Sequence, residues 1–241
     1  MAIEKLQDLL EFAAESQSHR GLIAYLPGRV DTPCRLTYEE VRLQAIHNAE
    51  ILRRIDGLTS DSVILLHFDN HLDNIIWFWS VLYSGYLPAM STPFSNDPKQ
   101  RDKHLSHLYT LLKDPFCITR QSLIHDFADS KTIRVEAVEK LNPNTKLAMN
   151  GIEKLGLAQT PLHLHDRALL MLTSGSTGNA KAVVLSYEQV IASVAGKASA
   201  RQLPRDHAFL NWVGLDYVAG MTEIHLQAMY LCVDQIHVQA A

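Results

Sequence analysis

Between apolar runs at residues 168–172 and 182–185 the chain reads Thr173, Ser174, Gly175, Ser176, Thr177 and Gly178, and three positions further on stands Lys181. Glycine at 175 and 178 puts no Cβ in the way of an anion and leaves φ unrestricted, so the backbone amides can turn inward. Successive inward amides form a nest for phosphate oxygens. The hydroxyls of Thr173, Ser174, Ser176 and Thr177 add donors, and Lys181 adds a compact positive charge. These residue types in this order suit the phosphates of a nucleotide. A Walker loop is excluded, because Asn179 and Ala180 rather than a glycine precede the lysine. A flexible Gly/Ser linker fits no better, since it would neither lie between two apolar strands nor end in a lysine.

Other groupings carry less chemistry. His163 with His165 and Asp166, and His104 with His107, are the best candidates among 12 histidines for holding a metal. A zinc site wants three or four ligands arranged tetrahedrally. Neither grouping supplies them, so no metal site is assigned and these side chains are expected to be solvated or hydrogen-bonded. Cys34, Cys117 and Cys232 are odd in number, far apart and without C-x-x-C spacing, as expected of reduced thiols in a cytoplasmic protein.

The elements that must position the loop follow from periodicity. Leu6, Leu9, Leu10 and Ala13 predict a short amphipathic helix, and two strands around Pro27-Gly28 predict a hairpin. Thr37 and Glu40 fit a capping box at the head of a helix that Gly57 can end. Strands are then expected at 63–68, 87–90, 116–119 and 133–138. Helices are expected around Leu72 to Leu82, Leu105 to Leu112 and Ser122 to Phe127. Such alternation argues for βαβ units. The fold expected is α/β, three-layer, with a mostly parallel sheet flanked by helices, and residues 142–156 form a surface excursion.

Composition narrows the partners. The 241 residues are 47% hydrophobic and 20% charged, and 22 basic against 26 acidic side chains leave a formal charge of -4. No basic footprint for nucleic acid exists. The most apolar stretch, residues 75–87, is broken by Ser80, Ser84 and Gly85 and falls short of the roughly 20 residues a membrane span needs.

A strand-to-strand Ser/Thr/Gly loop closed by Lys181 resembles the signature of the adenylate-forming superfamily, which includes acyl-CoA ligases, luciferases and the adenylation domains of nonribosomal peptide synthetases. The resemblance covers nearly the whole chain. Residues 36–41, 61–66, 85–89 and 104–119 look like the N-terminal half of that family's large domain. The segment Asn211 to Gly220 looks like its acyl-pocket segment, most similar to fungal nonribosomal-peptide-synthetase-like enzymes.

The resemblance implies ATP-dependent activation of a small carboxylic acid as an acyl-adenylate, with ATP and Mg²⁺ as cofactors and CoA or a phosphopantetheine carrier as acceptor. It assigns Thr173 to Gly178 and Lys181 to the β- and γ-phosphates, with Lys181 and Thr173 stabilising pyrophosphate as it leaves. Trp212, Gly214 and Tyr217 would line the acyl pocket. Amino-acid-activating domains carry an Asp where Tyr217 stands, so an α-amino acid substrate is disfavoured. Asp216 is not given that role, because neighbours on an extended segment face opposite ways. The family's adenine-, ribose- and metal-binding residues and its small C-terminal lid domain come later than position 241. Residues 1–241 are therefore expected to be an incomplete N-terminal AMP-binding domain, completed by a partner chain or else serving as a non-catalytic interaction module. Thr222-Glu223 mimics the family's metal motif too close to Lys181, and Glu223 is expected on a helix surface.

Overall fold

The computed structural model describes residues 3–16, 19–26, 31–128, 132–141, 163–173 and 180–238. The expected excursion at 142–156 lies outside them. Helix α1 (Leu6–Ser16) buries Leu6, Leu9, Leu10 and Ala13, and β1 (Gly21–Tyr25) pairs antiparallel with β2 (Cys34–Thr37) as the expected hairpin. Helix α2 (Tyr38–Arg53) opens on the capping box: the Glu40 amide donates to Thr37 Oγ1 at 3.1 Å, and the Thr37 amide donates to Glu40 Oε2 at 2.7 Å. It closes on Arg54 in the right-handed region. Gly57, with φ 85°, does not cap it but turns the chain three residues later toward the next strand.

Strands and helices then alternate as β3 (Val63–His67), α3 (His71–Ser84), β4 (Leu87–Met90), α4 (Pro98–Leu112) and β5 (Phe116–Thr119). A 3-10 helix (Gln121–Phe127), β6 (Arg134–Ala137) and α5 (Val138–Leu141) follow. After residue 162 come β7 (Arg167–Thr173), β8 (Lys181–Ser186), α6 (Tyr187–Ala200) and β9 (Phe209–Asn211). A π-helix (Ala219–Leu226) then runs straight into α7 (Gln227–Leu231), and β10 (Gln235–Val238) closes the described chain.

The expected α/β class holds, with the strands divided between two sheets. Six strands in the order β6-β5-β3-β4-β7-β8 are parallel except for the antiparallel edge β8; four more take the order β2-β1-β10-β9. Every residue of β3 is buried, as befits a central parallel strand covered on both faces. Its alternation sorts its side chains between two cores. Ile64 and Leu66 join α2, α3 and α7. Val63 and Leu65 join Leu105, Leu108 and Leu112 of α4 on the opposite face. The carboxyl ends of β3, β4, β5 and β7 consequently share one edge of the sheet, the edge where open α/β folds place their ligands.

Candidate functional site

Thr173 ends β7 and Lys181 begins β8, and the two are paired directly across the antiparallel ladder. The hairpin thus holds both stems of the predicted phosphate loop at the carboxyl edge. Leu172 and Ala180 are buried against α4, whereas the Lys181 side chain is exposed and belongs to none of the ion pairs among the described residues. Ser174, Gly175, Ser176, Thr177 and Gly178 lie outside the described residues.

Beside the hairpin, a cleft of about 310 Å³ opens over the ends of β3 and β4. Its floor is His67, which faces Ser91 Oγ at 2.9 Å through Nδ1 and Asp126 Oδ2 at 3.2 Å through Nε2. Phe94 stacks on the imidazole at 4.1 Å. Burial lowers the His67 pKa against the opposing pull of Asp126, so the ring is neutral. A carboxylate only accepts, hence Nε2 carries the proton; the single Ser91 hydroxyl proton then has two acceptors in reach, His67 Nδ1 and the Thr92 carbonyl at 3.1 Å. This is the order of a nucleophile, a base and an orienting acid, but acyl transfer also needs donors for the oxyanion. The Ser91 amide is committed to Leu66 O at 2.9 Å. The side-chain amides of Asn70 and Asn74 are likewise engaged, with Asp73 and with backbone carbonyls. The three residues therefore make a fixed polar floor. Sequence reasoning missed them because Ser91 and Asp126 lie 24 and 59 positions from His67; the one signal was a histidine ending a buried strand.

Gly214, Leu215 and Asp216 form the facing wall. Residues 212–217 are not extended. They make a turn in which the Tyr217 amide donates to Gly214 O at 3.2 Å, so strict alternation does not apply there. The turn packs on the first coil of the π-helix: a Cβ at Gly220 would sit 2.4 Å from Gly214 O, and one at Gly214 would sit 2.2 Å from Asp216 Oδ1. Of the residues expected to line a pocket, Gly214 does so, while Trp212 and Tyr217 are 68% and 63% exposed. Asp216 faces the cleft instead, and burial raises its pKa.

A buried polar network holds this turn from below. Trp79 Nε1 donates to His225 Nε2 (3.0 Å), and His225 Nδ1 donates to Gln235 Oε1 (2.8 Å). His237 Nε2 donates to the same oxygen (3.1 Å) and accepts at Nδ1 from Asn211 (3.2 Å). Asn211 Oδ1 in turn accepts the Val213 amide at 2.9 Å, and Gln235 Nε2 donates to the Tyr38 hydroxyl at 2.9 Å. Each donor meets an acceptor only if both histidines are neutral. Burial pushes His225 down to about 4 and His237 well below its usual value. Glu223 sits away from the cleft, paired with Lys197 Nζ at 2.8 Å and Arg201 at 3.4 Å, which places it on the helix surface. Among the described residues no three His, Cys, Asp or Glu come together to hold a metal, and no helix is long and apolar enough to cross a membrane.

Residues 10–233 match the AMP-binding enzyme family. The chain belongs to that family. Among its relatives, the nonribosomal peptide synthetase acyN of Ascocoryne sarcoides is 46% identical over 243 residues, spanning 100% of this chain and 26% of the relative. Microperfuranone synthase of Emericella nidulans is 42% identical over 244 residues, 99% of this chain and 25% of that protein. The chain spans about a quarter of the length of these curated relatives. A solved adenylation domain of a keto acid-selecting nonribosomal peptide synthetase module, bound to keto acyl adenylate, superposes with a TM-score of 0.80 at 25% identity. It covers 98% of this AMP-binding chain and 41% of its own. McyG A-PCP complexed with phenylalanyl-adenylate shares the fold, with a TM-score of 0.81 at 23% identity over 99% of this chain and 37% of its own.

Proposed function

We propose that residues 1–241 form the phosphate- and acyl-binding part of an adenylation domain, which joins a carboxylic acid to ATP to give acyl-AMP and pyrophosphate. The observation that carries this reading is the hairpin, with Thr173 opposite Lys181 at the carboxyl edge of a parallel sheet in a chain of the AMP-binding family. Carboxylate and α-phosphate are both anionic, so the barrier is repulsion together with charge growing on the departing pyrophosphate. Fixed donors and cations lower it. Thr173 to Gly178 and Lys181 hold the β- and γ-phosphates, and the Lys181 ammonium meets the negative charge released as the bond to the α-phosphorus breaks. Mg²⁺, which the family implies, finds no ligand set among the described residues, and no step is assigned to it.

Gly214 borders the acyl site, and Trp212 and Tyr217, exposed on the same turn, complete it once the acid is bound. The position that carries an Asp in amino-acid-activating domains is Tyr217 here, so the substrate is read as a small carboxylic acid without an α-ammonium group, in line with the keto acid-selecting relative. Asp216, which faces the cleft, is the carboxylate that would receive such a group, and the amino acids in the exchange assay test it. The acyl group passes to CoA or a phosphopantetheine thiol, in the cytoplasm, where three unpaired cysteines stay reduced. A further portion, in the same polypeptide or a partner, supplies the ribose, metal and lid functions and covers the exposed Leu210, Trp212, Tyr217 and Val218. The relatives point to fungal secondary metabolism as the setting.

Carboxylate-dependent exchange of labelled pyrophosphate into ATP tests this, with keto, aryl, fatty and amino acids as substrates. No exchange is expected from the 241-residue chain alone, and exchange with a keto or aryl acid is expected once the C-terminal portion of a relative is added. Exchange with amino acids only would overturn the Tyr217 argument, and silence with every acid would overturn the adenylation reading.

A further inference from the structure

His107, on α4, donates from Nε2 to the carbonyl of Ala180 at 2.6 Å. A carbonyl only accepts, so Nε2 carries the proton. Ala180 immediately precedes Lys181, and the peptide joining them is planar. Fixing that carbonyl fixes the Lys181 amide, which points the opposite way in the same plane, and with it the line of the N–Cα bond about which the Lys181 side chain is set. The side chain is exposed, so the direction of the backbone weighs heavily in aiming it. The platform is rigid: α4 is capped by Asp97, whose Oδ1 accepts the Lys99 amide at 2.9 Å, and it buries Leu105, Leu108 and Leu112 in the same core as Leu172 and Ala180. Both stems of the hairpin thus rest on α4, and a side-chain hydrogen bond from α4 falls on the peptide next to the lysine.

We infer that His107 is a positioning residue for phosphate recognition, holding the Ala180–Lys181 peptide so that the ammonium is presented to the phosphates of the nucleotide. The inference rests on the reading of Lys181 as a phosphate ligand. His107→Ala removes the donor, and His107→Gln keeps an N–H in its place.

Amide hydrogen exchange and calorimetric titration of inorganic pyrophosphate, both on the 241-residue chain, test it. His107→Ala is expected to speed exchange at residues 180–183 while leaving β3 unchanged, and to weaken pyrophosphate about fivefold, the size of one net hydrogen bond. His107→Gln is expected to restore both. Lys181→Ala should abolish binding with exchange unaltered. Unchanged exchange in His107→Ala overturns the inference whether or not pyrophosphate binds. Faster exchange with unchanged affinity, while Lys181→Ala loses binding, overturns the positioning role and leaves the Lys181 reading standing. If the unaltered chain and Lys181→Ala bind equally, or neither binds, the Lys181 reading falls and takes the positioning role with it.

Discussion

The two sheets solve the problem of burial differently. The six-stranded sheet buries Leu65, Leu66, Ile64 and Ile118 against helices, and apolar packing of this kind tolerates exchange of one shape for another of equal volume. The four-stranded sheet buries Gln235, His237 and Asn211 beside His225 and Tyr38, joined in a network where each proton has one place to be. Packing supplies bulk stability, whereas a fully paired polar network accepts one arrangement only. The loose solution lies under the phosphate hairpin; the exacting one lies under the turn that walls the cleft.

Volume-conserving substitutions should separate the two most widely. Gln235→Met keeps the bulk but strips partners from His225, His237 and Tyr38, and a loss of about 3 kcal/mol is expected because buried donors are left unpaired. Leu65→Met should cost less than about 1.5 kcal/mol. Urea midpoints compare them directly, and equal losses would erase the distinction between the sheets.

Acid gives the next largest effect. The folded-state pKa of His225, about 4, lies below the unfolded value near 6.5, so between those values the unfolded chain takes up the proton and the folded chain refuses it. Stability is complete above about pH 6.5 and falls by up to about 3 kcal/mol as pH drops toward 4, with His237 adding in the same direction. Protonation would set N–H against N–H at Trp79 or Asn211. Chemical denaturation at pH 7.5 and 5 measures the slope; a flat profile, or one unchanged in His225→Gln, would contradict it.

The smallest effect belongs to Glu223. Its pairs with Lys197 and Arg201 are on the surface, so Glu223→Ala should cost under about 1 kcal/mol and leave pyrophosphate binding untouched. A loss of binding equal to that of Lys181→Ala would show that the metal-motif likeness of Thr222-Glu223 is real.

Much of this was legible in the chain itself. The capping box at Thr37, the buried run of β3 and the stems of the hairpin follow from local patterns of period 2 or 3.6, which each segment carries alone. Which strand joins which sheet does not, because the partnership of the apolar β1 with β10, whose buried positions are the polar Gln235 and His237, depends on everything between them. The polar floor of His67, Ser91 and Asp126 is assembled by register across β3 and β4 and by the helix after β5, information no spacing contains. Trp212 and Tyr217 were placed by likeness, and the turn that carries them outward depends on Gly214 meeting Gly220, a contact with no signature in either neighbourhood.

The pairing of β1 with β10 also bears on how the chain comes to be folded. The Gly21 amide bonds to Asp234 Oδ1 across 213 residues, and β1 aligns with β10 from Leu22 opposite Gln235. All strands of the six-stranded sheet lie before residue 187. During synthesis that sheet can close while β9 and β10 are still being made, leaving the β1 edge of the β1–β2 hairpin waiting for its partner. Such long-range closure is slow, and an open edge is exposed to stray pairing in the meantime. A chain stalled before residue 235 should therefore resist protease over β3 to β5 (residues 63–119) but not over β1 and β2.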